Sequence, residues 1–191
     1  MTAVNTKFRL DINRAALLII DVQEKLVPAM NQPLYTQLLQ NARLLREGFT
    51  AFGRPVLATE QYPQGLGHTI SELNSGITAT VAKRAFSCCG ETDFLTALEK
   101  TGADQVVVIG METHVCVYQT VLDLLDKGYA VHLVRDAVAS RFVSDFENAL
   151  RLAGEAGAVV TTTETALFQF VPVAEGDGFK TISKLVRTRT A

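Results

Sequence analysis

The sequence of 191 residues lacks a long apolar run and lacks an excess of either charge. Its longest apolar stretch, AALLII, is far shorter than the roughly 20 residues that a membrane-spanning helix needs. The N-terminal stretch has no apolar core followed by a small-residue cleavage site. With 18 basic and 20 acidic residues, the formal net charge is -2, so neither nucleic acid nor an anionic membrane is indicated as a partner. We therefore expect a cytoplasmic protein whose partner is a small molecule.

Cysteine is also scarce, with three residues at positions 88, 89 and 116. An odd count in a chain large enough to fold without cross-links indicates free thiols in a reducing compartment. The adjacent Cys88 and Cys89 lack the C-x-x-C spacing of a zinc site. The sequence also contains neither G-x-G-x-x-G after its first apolar run nor G-x-x-x-x-G-K-[ST]. We expect no metal and no cofactor.

Short apolar runs alternate with longer helical patterns along the chain. Six runs rich in β-forming residues lie at 15–21, 55–59, 79–82, 105–110, 129–134 and 158–162. They are apolar on both faces, as strands covered by helices on both sides are. Because parallel neighbours need crossover connections, this pattern predicts an α/β fold. We expect one three-layer α/β/α domain over residues 1–191, with a six-stranded, mostly parallel, Rossmann-like sheet.

The segments between these runs predict the helices and loops. Helical spacing predicts helices at about 34–52, 92–100, 114–127 and 144–156. Thr113 is the predicted N-cap of the third helix, and SDFE predicts a capping box with Ser144 at the start of the fourth. Residues 60–78 predict a loop with one short helical turn. The core is expected at about 12–172, and the extension 173–191 predicts a peripheral helix that packs on a neighbouring subunit.

Three reactive side chains follow predicted strands at their carboxyl ends. Ligands of open α/β sheets bind at this edge, where Asp21, Lys83 and Cys116 follow the first, third and fourth runs. Each has a structural alternative, because a lone Asp caps turns, a lone Lys is usually a solvated charge, and free Cys is often buried. If the strand order is of the Rossmann type, the first and fourth strands are neighbours. Joint placement at one edge favours a functional site.

Cys116 has the strongest physical case as a nucleophile. With Thr113 as N-cap, it lies in the first helical turn, where unpaired N–H groups and the helix dipole lower a thiol pKa. Lys83 would lower the pKa further, and Asp21 could accept the thiol proton. Unpaired amides of the turn, including that of Cys116, could bind an oxyanion. The arrangement predicts attack on a carbonyl.

Four blocks, LLIIDVQ, TEQYPQGLG, KRAFSCCG and GMETHVCV, resemble in order and spacing the motifs of the isochorismatase-like cysteine hydrolases. The stretches TEQYPQGLG, TVLDLLDKG and FKTISKLV are most similar to the isochorismatase domain-containing protein branch. The resemblance implies a hydrolase with Asp21 as general base, Lys83 as the stabilising cation and Cys116 as the nucleophile of a covalent acyl intermediate.

The resemblance also implies a cis peptide bond between Met111 and Glu112. The backbone N–H groups of Glu112 and Cys116 would then form the oxyanion hole. The cis peptide bond and the role of the Glu112 N–H come from the family pattern and not from the spacing of the residues.

One departure from the family pattern concerns metal binding. Nicotinamidases carry an Asp-x-His pair and a further His that hold a metal, whereas this chain has Gln61 and Pro63 at the corresponding places and only His68 beside them. A single histidine does not make a metal site, which disfavours nicotinamide as the substrate. Some members that cleave isochorismate lack the cysteine, so the presence of Cys116 favours an acyl centre such as an amide.

Four further residues are candidates for substrate binding: Gln23, Gln61, Tyr62 and Phe86. Gln23 either contacts the substrate or holds the loop. His114 lies two residues from Cys116 on a helix, so it faces another direction and is not its predicted partner. His132 is predicted to be a core histidine with satisfied hydrogen bonds.

Two functions remain open from the sequence. The first is a metal-independent cysteine hydrolase that cleaves a small amide or a related acyl substrate. The second is a non-catalytic small-molecule-binding or scaffold protein that retains the hydrolase fold. In either case we expect a homo-oligomer, a dimer or larger, and no nucleic acid or membrane partner.

Overall fold

The computed structural model describes residues 7–189, and a six-stranded sheet lies at its centre. The strands are β1 (Ala15–Ile20), β2 (Val56–Gln61), β3 (Ala79–Lys83), β4 (Gln105–Met111), β5 (Ala130–Ala139) and β6 (Val159–Thr161). Every neighbouring pair is parallel, in the order β3-β2-β1-β4-β5-β6. The predicted α/β fold with a Rossmann-like sheet is confirmed, and β1 lies directly beside β4.

Two layers of helices cover the sheet. The helices are α1 (Gln32–Ala51), α2 (Pro63–Leu66), α3 (Thr92–Lys100), α4 (Tyr118–Asp126), α5 (Val143–Ala156), α6 (Thr163–Phe168) and α7 (Gly176–Val186). Helices α1, α6 and α7 pack on one face, and α3, α4 and α5 pack on the other. Within residues 7–189, no helix is long and apolar enough to cross a membrane.

The four central strands β1, β2, β4 and β5 form because nearly every position in them can be buried. All six residues of β1 are buried, and alternate residues enter opposite cores. Leu17 and Ile19 pack in the core under α1, while Leu18 and Ile20 pack in the core under α3 and α4. A strand that is apolar on both faces is therefore stable only between two helical layers.

The contact between β1 and β4 is unusually close at the edge where both strands end. Gly110 pairs with Ile20 and has a φ angle of +120°. A Cβ atom at this position would lie 2.1 Å from the backbone oxygen of Ile20. Only glycine permits both the backbone angle and the approach, which brings the residues after β4 next to those after β1.

Local boundaries differ from the predictions at several points. Helix α5 begins at Val143, and its N-cap is Phe142, which makes no side-chain capping bond. The prediction of a capping box at Ser144 is therefore wrong. Strand β5 is longer than the predicted run, because its register with β4 shifts between Val108 and Gly110. Helix α6 was not predicted.

The C-terminal segment forms helix α7, which packs on its own chain. Ile182 is fully buried in the core under α1, so this apolar face meets α1 instead of a neighbouring subunit. Beyond α7, Arg189 Nη2 lies 2.6 Å from Asp136 Oδ2. Residues 1–6 and 190–191 of the predicted domain lie outside the described residues.

Candidate active site

Asp21, Lys83 and Cys116 meet at the carboxyl edge of the sheet. Asp21 follows β1, Lys83 is the last residue of β3, and Cys116 lies in a π-helical turn, Thr113–Val117, after β4. Lys83 Nζ lies 2.7 Å from Asp21 Oδ2, and both side chains are fully buried. Burial and the nearby charge of the Asp21 carboxylate raise the pKa of the Cys116 thiol. A carboxylate, an ammonium and a thiol thus lie close together.

Asp21 is held by β2 in an uncommon backbone conformation. Its φ angle is +52°, a left-handed conformation that Asp tolerates better than most residues. The Asp21 N–H donates to Thr59 O at 3.1 Å, and Thr59 Oγ1 donates to Asp21 Oδ1 at 2.7 Å. Left-handed residues other than glycine cluster at functional sites, where surrounding contacts maintain them.

Lys83 is a buried ammonium surrounded by oxygen atoms. Besides Asp21, its Nζ atom contacts Gln61 Oε1 at 2.6 Å, Ala85 O at 3.2 Å and Phe86 O at 2.9 Å. Burial acts to lower the pKa of Lys83, but the charge of Asp21 and further contacts outweigh it, so the pKa is raised above its ordinary value. Lys83 therefore stays protonated and supports the charge of Asp21.

The turn that carries Cys116 differs from the predicted helix start. Glu112 is its N-cap and makes no side-chain capping bond, and the Val117 N–H donates to Glu112 O at 3.2 Å. The hydroxyl of Thr113 is buried without a hydrogen-bond partner among the described residues. The predicted capping role of Thr113 is therefore wrong. Single π-helical turns occur frequently at functional sites.

The pKa of Cys116 also moves in the direction opposite to the prediction. Burial, with the negative charge of Asp21 adding to it, raises the pKa of Cys116 to about 12, although the Lys83 charge acts to lower it. The thiol is consequently protonated at neutral pH. A nucleophilic role then requires Asp21 to take the proton during the attack, because little thiolate is present beforehand.

The peptide bond between Met111 and Glu112 is cis. The carboxylate of Glu112 is held by Arg141, whose Nε and backbone N–H donate to its Oε2 atom at 3.0 and 3.2 Å. The oxyanion role of the Glu112 and Cys116 N–H groups stays a prediction.

The two glutamine candidates are engaged in holding the site together. Gln23 is fully buried, and its Nε2 atom donates to Gln61 O at 3.0 Å and Gly67 O at 2.6 Å. Its Oε1 atom accepts from the Gln61 N–H at 2.7 Å, which favours the loop-holding alternative. The side chain of Gln61 accepts from Lys83 and donates to Arg84 O at 2.9 Å. Gln61 therefore positions Lys83.

The two aromatic candidates lie at the surface of the same edge. Tyr62 is 42% exposed and Phe86 is 54% exposed. The Arg84 guanidinium lies 4.2 Å from the centre of the Tyr62 ring, within the range of a cation–π contact. Both rings follow strands that carry the buried groups, and their role in substrate binding stays a prediction.

The histidines do not contribute to the contact between Asp21 and Cys116. His114 Nδ1 lies 3.0 Å from Ser140 Oγ, and its Nε2 lies 3.9 Å from Asp145 Oδ2. His68 Nδ1 lies 3.0 Å from Glu60 Oε2. His114 accordingly faces α5.

The residues at the place of the nicotinamidase metal do not fit a metal ion. The amide of Gln61 is occupied by Lys83 and Arg84, Pro63 offers no side-chain donor, and His68 is bound to Glu60. Within residues 7–189, no group of three or more His, Cys, Asp or Glu side chains is arranged to hold a metal.

Sequence reasoning missed a second layer of polar residues behind the site. Cys88 is fully buried, and its Sγ atom lies 3.7 Å from Thr59 Oγ1. The Cys88 N–H donates to Thr120 Oγ1 at 3.0 Å, and Thr120 Oγ1 donates to Cys116 O at 2.6 Å. One signal could have identified Thr59: it is a polar residue in an apolar strand, paired with the residue before Asp21.

A cavity of about 700 Å³ lies at the opposite edge of the sheet, where Pro55, Thr78 and Lys100 line it. These residues adjoin the amino ends of β2 and β3 and the end of α3. The cavity is therefore separate from the edge that carries Asp21 and Cys116.

The parallel sheet order and the buried group of base, cation and thiol define an α/β protein of the hydrolase type, and comparison with known proteins gives the family. The Isochorismatase domain matches residues 15–165, so the chain belongs to the isochorismatase family, as the four sequence blocks predicted.

Two curated relatives carry the name of the predicted branch. Isochorismatase domain-containing protein 1 of Salmo salar is 36% identical over 168 residues, which cover 87% of this chain and 59% of that protein. The chain thus spans less than two thirds of that relative. Isochorismatase domain-containing protein 2 of Danio rerio is 36% identical over 178 residues, covering 93% of this chain and 89% of that protein.

A solved structure has the same fold over nearly the whole chain. The MAR1 ribonuclease from Caenorhabditis elegans superposes with a TM-score of 0.87 at 34% sequence identity, covering 94% of this chain and 92% of that chain.

Proposed function

We propose that the chain is a cysteine hydrolase that cleaves a small amide or a related acyl substrate without a metal ion. Membership of the isochorismatase family supports a hydrolase role. The observation that carries the finer proposal is the buried ion pair of Asp21 with Lys83, placed where burial and the charge of Asp21 raise the pKa of the Cys116 thiol. A protonated thiol beside a charged carboxylate is suited to attack with simultaneous proton transfer.

The proposed reaction has two halves. In the first, the Cys116 proton moves to Asp21 while the sulfur bonds to the substrate carbonyl carbon, and the N–H groups of Glu112 and Cys116 donate to the oxyanion. The C–N bond then breaks as Asp21 returns the proton to the leaving nitrogen. In the second half, Asp21 takes a proton from water, hydroxide adds to the thioester, and the acid and the free thiol are released. Lys83 keeps its proton throughout.

The substrate we propose is small and is not a nucleic acid. One structural relative is named a ribonuclease, but the net charge of -2 of this chain offers no general attraction to a phosphate backbone. The test below nevertheless includes RNA as a substrate.

A non-catalytic binding or scaffold role is the second candidate. The raised pKa of Cys116, about 12, favours it, because the resting thiol is a poor nucleophile. Turnover that depends on Asp21 would exclude this role. Binding of small acyl compounds without any turnover would support it.

The test is hydrolysis of a panel of small amides and esters, with an RNA oligonucleotide as a further substrate. We expect release of amine from at least one amide, and a loss in kcat/KM of about 1,000-fold or more in both Asp21→Asn and Cys116→Ser. The matched control is Cys89→Ser, which alters a half-buried free thiol outside the contact with Asp21 and should retain wild-type rates. Full activity in Cys116→Ser would contradict the proposal.

We also propose that the chain forms a homo-oligomer, a dimer or larger, in the cytoplasm. Phe142 and Val143 are 62% and 45% exposed at the start of α5, and exposed apolar side chains that lie together are typical of interfaces. The three free cysteines agree with a reducing compartment. Sedimentation velocity should give a mass above that of one chain.

A further inference from the structure

We propose that Thr59 is a positioning residue of the candidate active site: its hydroxyl, together with Lys83, fixes the plane of the Asp21 carboxylate toward Cys116, and Cys88 fixes that hydroxyl. The inference rests on the proposed function, in which Asp21 is the base. Neither Thr59 nor Cys88 touches the reacting atoms in that mechanism.

The direction of the hydrogen bonds follows from the number of protons. Thr59 is 1% exposed, and its single hydroxyl proton goes to Asp21 Oδ1 at 2.7 Å. The Cys88 thiol, 3.7 Å from the same hydroxyl oxygen, must then be the donor to it, because a hydroxyl has one proton and two acceptor sites. Burial raises the pKa of Cys88 to about 12, so the thiol keeps the proton that it donates.

Asp21 is thereby held at both oxygens. Oδ1 accepts from Thr59, and Oδ2 lies 2.7 Å from Lys83 Nζ. The charged and titratable groups that face Asp21 are Lys83 from β3, Cys88 from the turn after β3, and Cys116 from the turn after β4. The hydrogen bond at Oδ1 and the ion pair at Oδ2 together restrict rotation of the carboxylate, so it presents one orientation toward Cys116.

The same cysteine also supports the nucleophile turn. The Cys88 N–H donates to Thr120 Oγ1, which in turn donates to Cys116 O. Hydrogen bonds therefore run from Asp21 through Thr59, Cys88 and Thr120 to the backbone of Cys116. This path couples the position of the base to that of the nucleophile.

The test compares Thr59→Val, which keeps the shape but removes the hydroxyl, with Thr59→Ser, which keeps the hydroxyl. The readout is the rate of Cys116 alkylation by iodoacetamide as a function of pH, resolved by peptide mass spectrometry. At pH 7 the Thr59→Val variant should lower this rate about tenfold, because the Asp21 carboxylate loses the donor that orients it toward the Cys116 thiol. Thr59→Ser should retain the wild-type rate.

Thr163→Val is the matched control. Thr163 is fully buried, and its Oγ1 atom donates to Asp136 Oδ1 at 2.9 Å, so the substitution removes an equivalent hydrogen bond elsewhere in the fold. It should lower the Tm and leave the rate of Cys116 alkylation at pH 7 unchanged. A purely structural role of Thr59 would give the same result in Thr59→Val, and that result would overturn the proposal.

Equal losses of rate in Thr59→Val and Thr59→Ser would also overturn it, since the hydroxyl would then be irrelevant. If Thr59→Val does not fold, Cys88→Ala replaces it, with a smaller loss of rate expected and an unchanged rate contradicting the proposal. Hydrolysis is measured on the same preparations. A wild type without turnover but with the expected losses in the variants contradicts the proposed function alone, whereas turnover with unchanged alkylation rates in the variants contradicts the positioning role alone.

Discussion

His132 is a buried ionisable residue that lies outside the candidate site. We expected a core histidine with satisfied hydrogen bonds, and the structure confirms only its burial. Within residues 7–189, neither ring nitrogen has a hydrogen-bond partner. Burial lowers the pKa of His132 to about 4, because an imidazolium in this apolar strand would be neither hydrated nor paired.

The buried imidazole predicts acid sensitivity. The folded state keeps His132 neutral, while the unfolded chain binds a proton below a pKa of about 6.5, so stability is full above that value and is lost as the pH falls toward 4. The loss from this residue between pH 7 and 4 is about 3 kcal/mol. In His132→Leu, urea unfolding should show a pH dependence that is weaker by about this amount. An unchanged pH dependence would contradict the lowered pKa.

The three central residues of the site could be predicted from the sequence, whereas their state could not. Asp21, Lys83 and Cys116 each follow a recognisable strand, and the carboxyl-edge rule brings such residues together. The pKa of Cys116 depends instead on how deeply the completed fold buries the thiol beside a carboxylate. The roles of Thr59 and Cys88 depend on contacts between three separate segments.

At the scale of elements, the β1–β4 contact places the nucleophile turn beside the base. Gly110 permits this contact through its φ of +120° and its lack of a Cβ. Strand existence was predictable, because apolar runs must be buried on both faces. The helix at 92–100 was also predicted with its bounds, whereas two caps were not, since Thr113 and Ser144 fit local capping patterns but cap neither helix in the fold.

Gly110→Ala should disrupt this contact. A Cβ atom 2.1 Å from Ile20 O, together with the positive φ angle, should reduce the free energy of unfolding by about 3 kcal/mol or more. The control is Gly128→Ala, where φ is +86° but no heavy atom lies within 4 Å of a new Cβ, so the loss should be about 1 kcal/mol. Thermal and urea unfolding of both variants measure the difference, and equal losses would show that steric contact with β1 is unimportant.

At the scale of the whole molecule, the order of the strands explains the site. With β1 between β2 and β4, and β3 beyond β2, Lys83 reaches Asp21 from one side and Cys116 reaches it from the other. The sequence supports this order only through the general preference for Rossmann topology. The substrate depends on the loops after the strands and on any neighbouring subunit, which local sequence patterns do not describe.

The central claim is that Cys116 forms a covalent acyl intermediate with help from Asp21. It is tested most directly by intact-protein mass spectrometry after acid quenching of the wild type with an amide that is turned over. We predict an added mass equal to the acyl group, located on Cys116 and absent in both Cys116→Ser and Asp21→Asn. Turnover of that amide with no adduct at any time, or with an adduct on Cys88 or Cys89 alone, would contradict the account.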